Sequence, residues 1–192
     1  DVCVRSDGTI YFTDPFYGRN PFYGVERERD LGWQGVFCIP PGGGQAELDL
    51  VVPEDAFDMP NGLCFSPDES LLYINDTPRG HIKVFDVLPD GRLSNGRLFF
   101  EGIISGSLPG KPEGMKCDVL GNIWVTGPRG VWVISPASEH LGVVHVPEVI
   151  GNLAWGGPDW RTLFIAASTS IYTLRTLVGP RPEPFMRADD RG

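Results

Sequence analysis

"EGMKCDVLGNIWVTG", residues 113–127, is a short apolar run, a polar turn and a second run richer in β-branched and aromatic residues. The same plan recurs in "DVCVRSDGTIYFTD" (1–14), "NGLCFSPDESLLYINDT" (61–77) and "NLAWGGPDWRTLFIAAS" (152–168). Each copy is followed by a third apolar run: "GVFCI" (35–39), "GHIKVFDV" (80–87), "GVWVIS" (130–135) and "SIYTLR" (170–175). Fourth runs follow as "LDLVV" (48–52), "GRLFF" (96–100), "GVVHV" (142–146) and "PEPFM" (182–186). Short strands bounded by turn residues, repeated four to a unit, are the signature of a β-propeller in which each unit is one radial blade. No long segment with a 3.6-residue period competes, so the fold is all-β. A generic sandwich would not explain one turn recurring in register. The expectation is about four blades.

Aligning the copies on their first runs makes Val4, Phe65, Cys117 and Gly156 equivalent. Each stands four residues before a turn position held by Gly8, Glu69, Gly121 or Trp160. Four residues upstream lie Asn61, Glu113 and Asn152, and the first copy would place its equivalent just before Asp1. First strands line the channel of a propeller, so these polar residues are expected to converge near its axis. Amide and carboxylate oxygens are the donors that Ca²⁺, Mg²⁺ and Mn²⁺ prefer, and several blades could hold one such cation. Taken singly, Asn61 and Asn152 also read as turn residues that bond their own backbone.

Composition agrees with a turn-rich globular chain. Of 192 residues, 25 are Gly and 18 Pro, 41% are hydrophobic and 21% charged. A chain of this length buries roughly 70% of its unfolded surface in one core, so residues 1–192 are read as a single propeller domain. The net charge of −9, with 16 scattered Lys and Arg, argues against nucleic acid and favours a cation as companion. No run is long enough for a transmembrane helix and nothing resembles a signal peptide, which argues against a membrane partner and favours the cytoplasm. Cys3, Cys38, Cys64 and Cys117 sit in apolar runs without the close spacing of a zinc site and are expected as buried free thiols. His81, His140 and His145 are expected in third strands or connecting segments, away from the channel. "PPGGGQ" (40–45) lacks the lysine and helix of a phosphate loop and is read as a turn.

The stretches 1–18, 59–77, 112–136 and 152–172 resemble, in order, the gluconolactonase branch of the SMP-30/gluconolactonase/luciferin-regenerating-enzyme family. The resemblance implies a six-bladed propeller that binds one divalent cation and hydrolyses lactones. This chain then covers the C-terminal four blades or so, with the N-terminal segment as a partner within the same propeller. The family's cation is held by a Glu near the N-terminus, an Asn in a "PNGL"-like motif and an Asp in a "PDGM"-like motif. The second matches Asn61; the third matches Glu113, one methylene longer than Asp; the first would precede Asp1. The implied cofactor is Ca²⁺, with Zn²⁺, Mn²⁺ or Mg²⁺ as alternatives, and the implied substrate a small sugar lactone.

By the same resemblance Glu113 is both metal ligand and general base, and Asn61 a neutral ligand. In the family an Asn directly before an Asp contacts substrate or metal-bound water. Asp1 opens the corresponding segment, and Asp1, Asn152 and Tyr17 are the candidate substrate-binding residues. Tyr17 lies in the longest connection, 14–34, which also carries Phe16, Phe22, Tyr23 and Trp33. A connection this long with so many aromatics is either a lid over the channel or an ordered flap packed on the neighbouring blade. Two other readings are a non-catalytic, metal-stabilised binding module and an esterase of the paraoxonase type, since fold alone does not fix chemistry.

Overall fold

The computed structural model describes residues 1–22 and 24–186. It forms four antiparallel sheets, each a blade. Blade one is β1 (Val2–Val4), β2 (Ile10–Asp14), β3 (Gly35–Ile39) and β4 (Asp49–Leu50). Blade two is β5 (Pro60–Phe65), β6 (Leu71–Asp76), β7 (His81–Val87) and β8 (Leu93–Phe100). Blade three is β9 (Met115–Cys117), β10 (Ile123–Gly127), β11 (Gly130–Ile134) and β12 (His140–His145). Blade four is β13 (Ile150–Gly156), β14 (Thr162–Ala167) and β15 (Ile171–Arg175). The four blades of the sequence repeat are thus present as an all-β propeller.

The turn that set the register is real backbone geometry. Gly8, Glu69, Gly121 and Trp160 all have positive φ, at 93°, 59°, 85° and 55°. Each donates its N–H to the carbonyl three residues back, of Arg5, Ser66, Asp118 and Gly157, at 2.9–3.2 Å. Glycine is suited to this conformation, and a side chain there costs on the order of 1 kcal/mol. Glu69 offsets that cost, because its carboxylate accepts from Ser6 N–H and Oγ in the matching turn of blade one.

Three apolar layers glue the blades face to face. Tyr11 and Val36 of blade one pack with Leu63, Phe65 and Ile74 of blade two. Cys64, Tyr73 and Ile82 of blade two meet Met115, Cys117 and Val125 of blade three. Trp124 and Val131 of blade three meet Leu153, Trp155 and Leu163 of blade four, the two indoles edge-to-face at 5.4 Å. Period-2 alternation produces this, because successive residues of an inner strand face opposite neighbouring blades.

Two expectations change. The run 182–186 is not a fourth strand, and among the described residues blade four has three. Pro182 and Pro184 have no N–H to give a ladder. Instead the chain leaves β15 and turns back beneath the other blades. Val119 N–H donates to Gly179 O at 3.1 Å and Arg181 N–H to Cys117 O at 2.9 Å. The buried Arg181 guanidinium reaches Glu183 at 2.8 Å, Glu69 at 3.1 Å and Val4 O at 3.4 Å, and lies over the Phe65 ring. One cation thereby ties the exit of blade four to the turns of blades one and two. The histidines also shift: His81 opens the third strand β7, but His140 and His145 bound the outer strand β12. The four cysteines are free, as expected, with Cys38, Cys64 and Cys117 buried and Cys3 half-buried.

Removing one member of a buried ion cluster strands the others. Arg181→Ala is expected to lower stability by about 3–5 kcal/mol in urea denaturation. A loss under 1 kcal/mol would show that the returning segment is not what ties the blades.

Candidate functional site

The site begins where each first strand enters the channel. Thr13 of β2 donates from Oγ1 to the carbonyl of Asn61 at 2.7 Å. Asn75 of β6 donates from Nδ2 to the carbonyl of Glu113 at 2.7 Å and accepts Gly62 N–H at 3.2 Å. In both cases a second-strand side chain of one blade grips the entry residue of the next. The blades approach so closely that only glycine fits between them. A Cβ on Gly62 would stand 2.0 Å from Glu113 O, and one on Gly114 would stand 2.3 Å from Asn152 Oδ1. Glu113 meets the preceding blade's glycine with its backbone carbonyl, and Asn152 meets it with its side-chain amide. In β13 this needs a bulge between Ile150 and Asn152, and β5 has a register shift between Pro60 and Leu63.

Glu113 is held at the backbone on both sides. Besides the bond from Asn75, its N–H donates to Thr126 Oγ1 at 2.8 Å, and Thr126 in turn donates to Lys111 O at 3.0 Å. Its carboxylate is a different matter. Among the described residues no hydrogen bond or ion pair engages it, although the residue is half-buried. Burial raises its pKa above the ordinary carboxylate value, and Lys111 only partly opposes this.

Asn61 is oriented by a short relay. Thr77 commits its proton to Pro112 O at 2.6 Å, so its Oγ1 can only accept from Asn61 Nδ2, at 3.2 Å. The amide nitrogen is thus fixed on Thr77, and Asn61 Oδ1 is left without a hydrogen bond among the described residues. The relay runs from one candidate ligand to the residue preceding the other.

Asn152 is exposed, and its Oδ1 accepts the N–H of Leu153 at 2.8 Å, the local bond expected of a turn-type Asn. Asp1 lies across the channel, where its Oδ2 meets Lys116 Nζ at 3.4 Å. Asp1, Lys116 and Asn152 line one cleft of about 340 Å³. Lys116 was not among the candidates read from sequence. Its signal was the alternation with buried Met115 and Cys117, which turns it to the opposite face of β9.

Tyr17 is half-buried on a 3₁₀ turn, Phe16–Arg19, in the long connection. That connection is ordered by its own polar bonds: Phe16 N–H to Gln34 Oε1, Arg19 to Glu28 O and to the carboxylate of Asp30. Arg29 lies over Phe16 at 4.2 Å, and Trp33 stacks on Phe37 of β3 at 6.1 Å. Phe16 and Trp33 are therefore fastened within blade one. Tyr23 lies outside the described residues.

Two oxygen donors, one neutral and one anionic, suit a hard divalent cation that completes its shell with water. Among the described residues no three His, Cys, Asp or Glu side chains gather as a ligand cluster.

Comparison with known proteins bears directly on this geometry. The family model described as the SMP-30/gluconolactonase/LRE-like region matches residues 1–169. A gluconolactonase of Zymomonas mobilis is 32% identical over 183 residues, covering 92% of this chain and 49% of that protein. A pentonolactonase of Haloferax volcanii is 30% identical over 146 residues, covering 69% of this chain and 49% of that protein. The chain thus spans about half the length of these relatives. Among solved structures, a gluconolactonase of Xanthomonas campestris superposes with a TM-score of 0.77 at 32% identity, covering 91% of this chain and 56% of that one. Regucalcin of Agrobacterium tumefaciens, described as a calcium-binding protein, shares the fold with a TM-score of 0.74 at 19% identity, over 96% and 63% of the two chains. With its blades, its recurring turns and most of its length accounted for, the chain belongs to the SMP-30/gluconolactonase/LRE-like family.

Proposed function

We propose that this chain carries the ligand-bearing blades of a cation-dependent lactonase acting on sugar lactones. The observation that carries the reading is the Glu113 carboxylate, clamped at its backbone, half-buried and without a protein partner. A charge left this way is costly unless something binds it. The lactonases among the relatives support the reaction class, and the calcium-binding regucalcin supports the choice of Ca²⁺.

Asn61 and Glu113 would hold a divalent cation, which when bound would polarise the lactone carbonyl and stabilise the oxyanion. A carboxylate oxygen of Glu113 takes a proton from the attacking water. The new C–O bond forms at the carbonyl carbon, the ring C–O bond breaks, and Glu113 returns the proton to the departing alkoxide oxygen. Asn61 adds no charge, which leaves a net positive centre facing the carbonyl. Asp1, Asn152 and Tyr17 are proposed substrate contacts around it.

Two measurements test this. Hydrolysis of aldonolactones by the full-length protein is expected to need added Ca²⁺ or Mn²⁺, and Glu113→Gln is expected to lower kcat about 100-fold or more. Activity indifferent to both a chelator and the substitution would overturn the mechanism.

The second measurement uses stability. Because the folded-state pKa of Glu113 is raised, its ionisation favours the unfolded chain, and the metal-free protein loses stability as pH rises through that value. At neutral pH, metal-free Glu113→Gln is therefore expected to melt no lower than the parent. Cation at about 100 times its Kd should raise the parent's Tm by on the order of 5–10 °C. An equal rise in the variant would place the cation elsewhere.

A further inference from the structure

Lys116 sits where two cavities of the channel meet. One cleft is lined by Asp1 and Val2 of the first blade, Lys116 of the third, and Asn152, Leu153, Ala154, Phe164, Ala166 and Ile171 of the fourth; Gly151, next to Asn152, is where the Glu113 carboxylate comes nearest blade four, 3.8 Å from the position of a Cβ. Below it a larger, mainly apolar cavity of about 410 Å³ is walled by Cys3, Cys64, Cys117 and Trp155 and floored by the returning segment at Phe185 and Met186. Val2, Lys116 and Ala154 belong to both. The lysine therefore stands between a cleft that holds the entry residue Asn152 and a mainly apolar chamber.

Its hydrogen bonds are incomplete. An ammonium has three donors. One reaches the carbonyl of Met115 at 3.0 Å, and a second meets Asp1 Oδ2 at 3.4 Å, long for a charged pair. Both side chains are shielded, at 24% and 14% exposure. Burial lowers the pKa of the lysine, the mark of a charge that its surroundings do not fully compensate. Asp1 keeps spare acceptor capacity, since its Oδ1 accepts only Val2 N–H at 2.9 Å. The pair thus offers an unfilled donor next to unfilled acceptors, with no net charge. A vicinal diol matches that demand, because each hydroxyl both donates and accepts.

The position also fits. Lys116 lies three residues along the strand from Glu113, about 10 Å at strand rise. A sugar lactone with its carbonyl at Glu113 and Asn61 would extend its hydroxylated end toward this lysine. The geometry points to Lys116, with Asp1, as the subsite that binds the hydroxyls of the substrate remote from the ester, so that the channel selects polyhydroxylated lactones over unsubstituted ones. The assignment rests on the lactonase reading for its substrate and on the channel geometry for its place.

The test is a ratio, which a purely structural role does not move. For the full-length protein, kcat/KM is measured on glucono-δ-lactone and on δ-valerolactone, for the parent, Lys116→Met and Lys116→Arg. The ratio between the two substrates is expected to fall at least tenfold in Lys116→Met, through KM, and to be largely kept in Lys116→Arg. If Lys116→Met does not fold, Asp1→Asn gives the same ratio from the other side of the pair. An unchanged ratio, including an equal loss on both substrates, overturns the assignment. Should the parent hydrolyse neither lactone, the lactonase reading fails on its own. The subsite is then read from equilibrium binding of a polyhydroxylated lactam: tenfold weaker binding to Lys116→Met upholds it, and equal or absent binding overturns it.

Discussion

The structure depends on how one blade holds the entry of the next. Thr13 and Asn75, near the ends of β2 and β6, each bond the backbone carbonyl of a residue at the start of the following blade, Asn61 and Glu113. Glycines 62 and 114 allow the approach, since a Cβ at either would collide with the neighbouring blade. The bonds from Thr13 and Asn75 act on backbone carbonyls and so leave the Glu113 carboxylate and Asn61 Oδ1 without a hydrogen bond among the described residues. A rigid frame thereby delivers a free carboxylate and a free amide oxygen to the mouth of the channel, and rigidity of this kind is what a binding or catalytic group requires.

The opposite end of the channel is built on a different economy. There the polar groups are paired mostly with one another: the terminal nitrogens of Arg181 gather Glu69, Glu183 and the carbonyl of Val4, its Nε has no partner among the described residues, and Glu69 gathers the turn of blade one. The surrounding thiols are inert, with burial pushing Cys64 up to about 12. Lys116 stands between this ion cluster and the entry of blade four.

Much of this was legible in the sequence because it rests on periodicity and turns. The recurring turn announced itself through Gly8 and Gly121, and the spacing carried the register to Glu69 and Trp160, where no glycine marks the positive φ. The same spacing isolated Asn61 and Glu113. What failed to show were features that depend on tertiary return. Two prolines in 182–186 signalled against a strand, but nothing local said that Arg181 would cross under three blades. The bulge in β13 is likewise invisible to spacing, since one extra residue in a strand leaves the apolar pattern on either side intact. Lys116 was hidden by a different habit: a lysine in an alternating strand reads as a solvated face, whereas both faces of an inner strand meet neighbouring blades, and Lys116 lies beside Asn152, Leu153 and Ala154 of blade four.

The account turns on Asn61 Oδ1 and the Glu113 carboxylate holding one cation together. Crystals of the protein soaked in Mn²⁺ and measured for anomalous scattering test that directly. The prediction is one strong peak within about 2.0–2.6 Å of both oxygens. A strong peak elsewhere, or density at Glu113 that does not include Asn61, would contradict it.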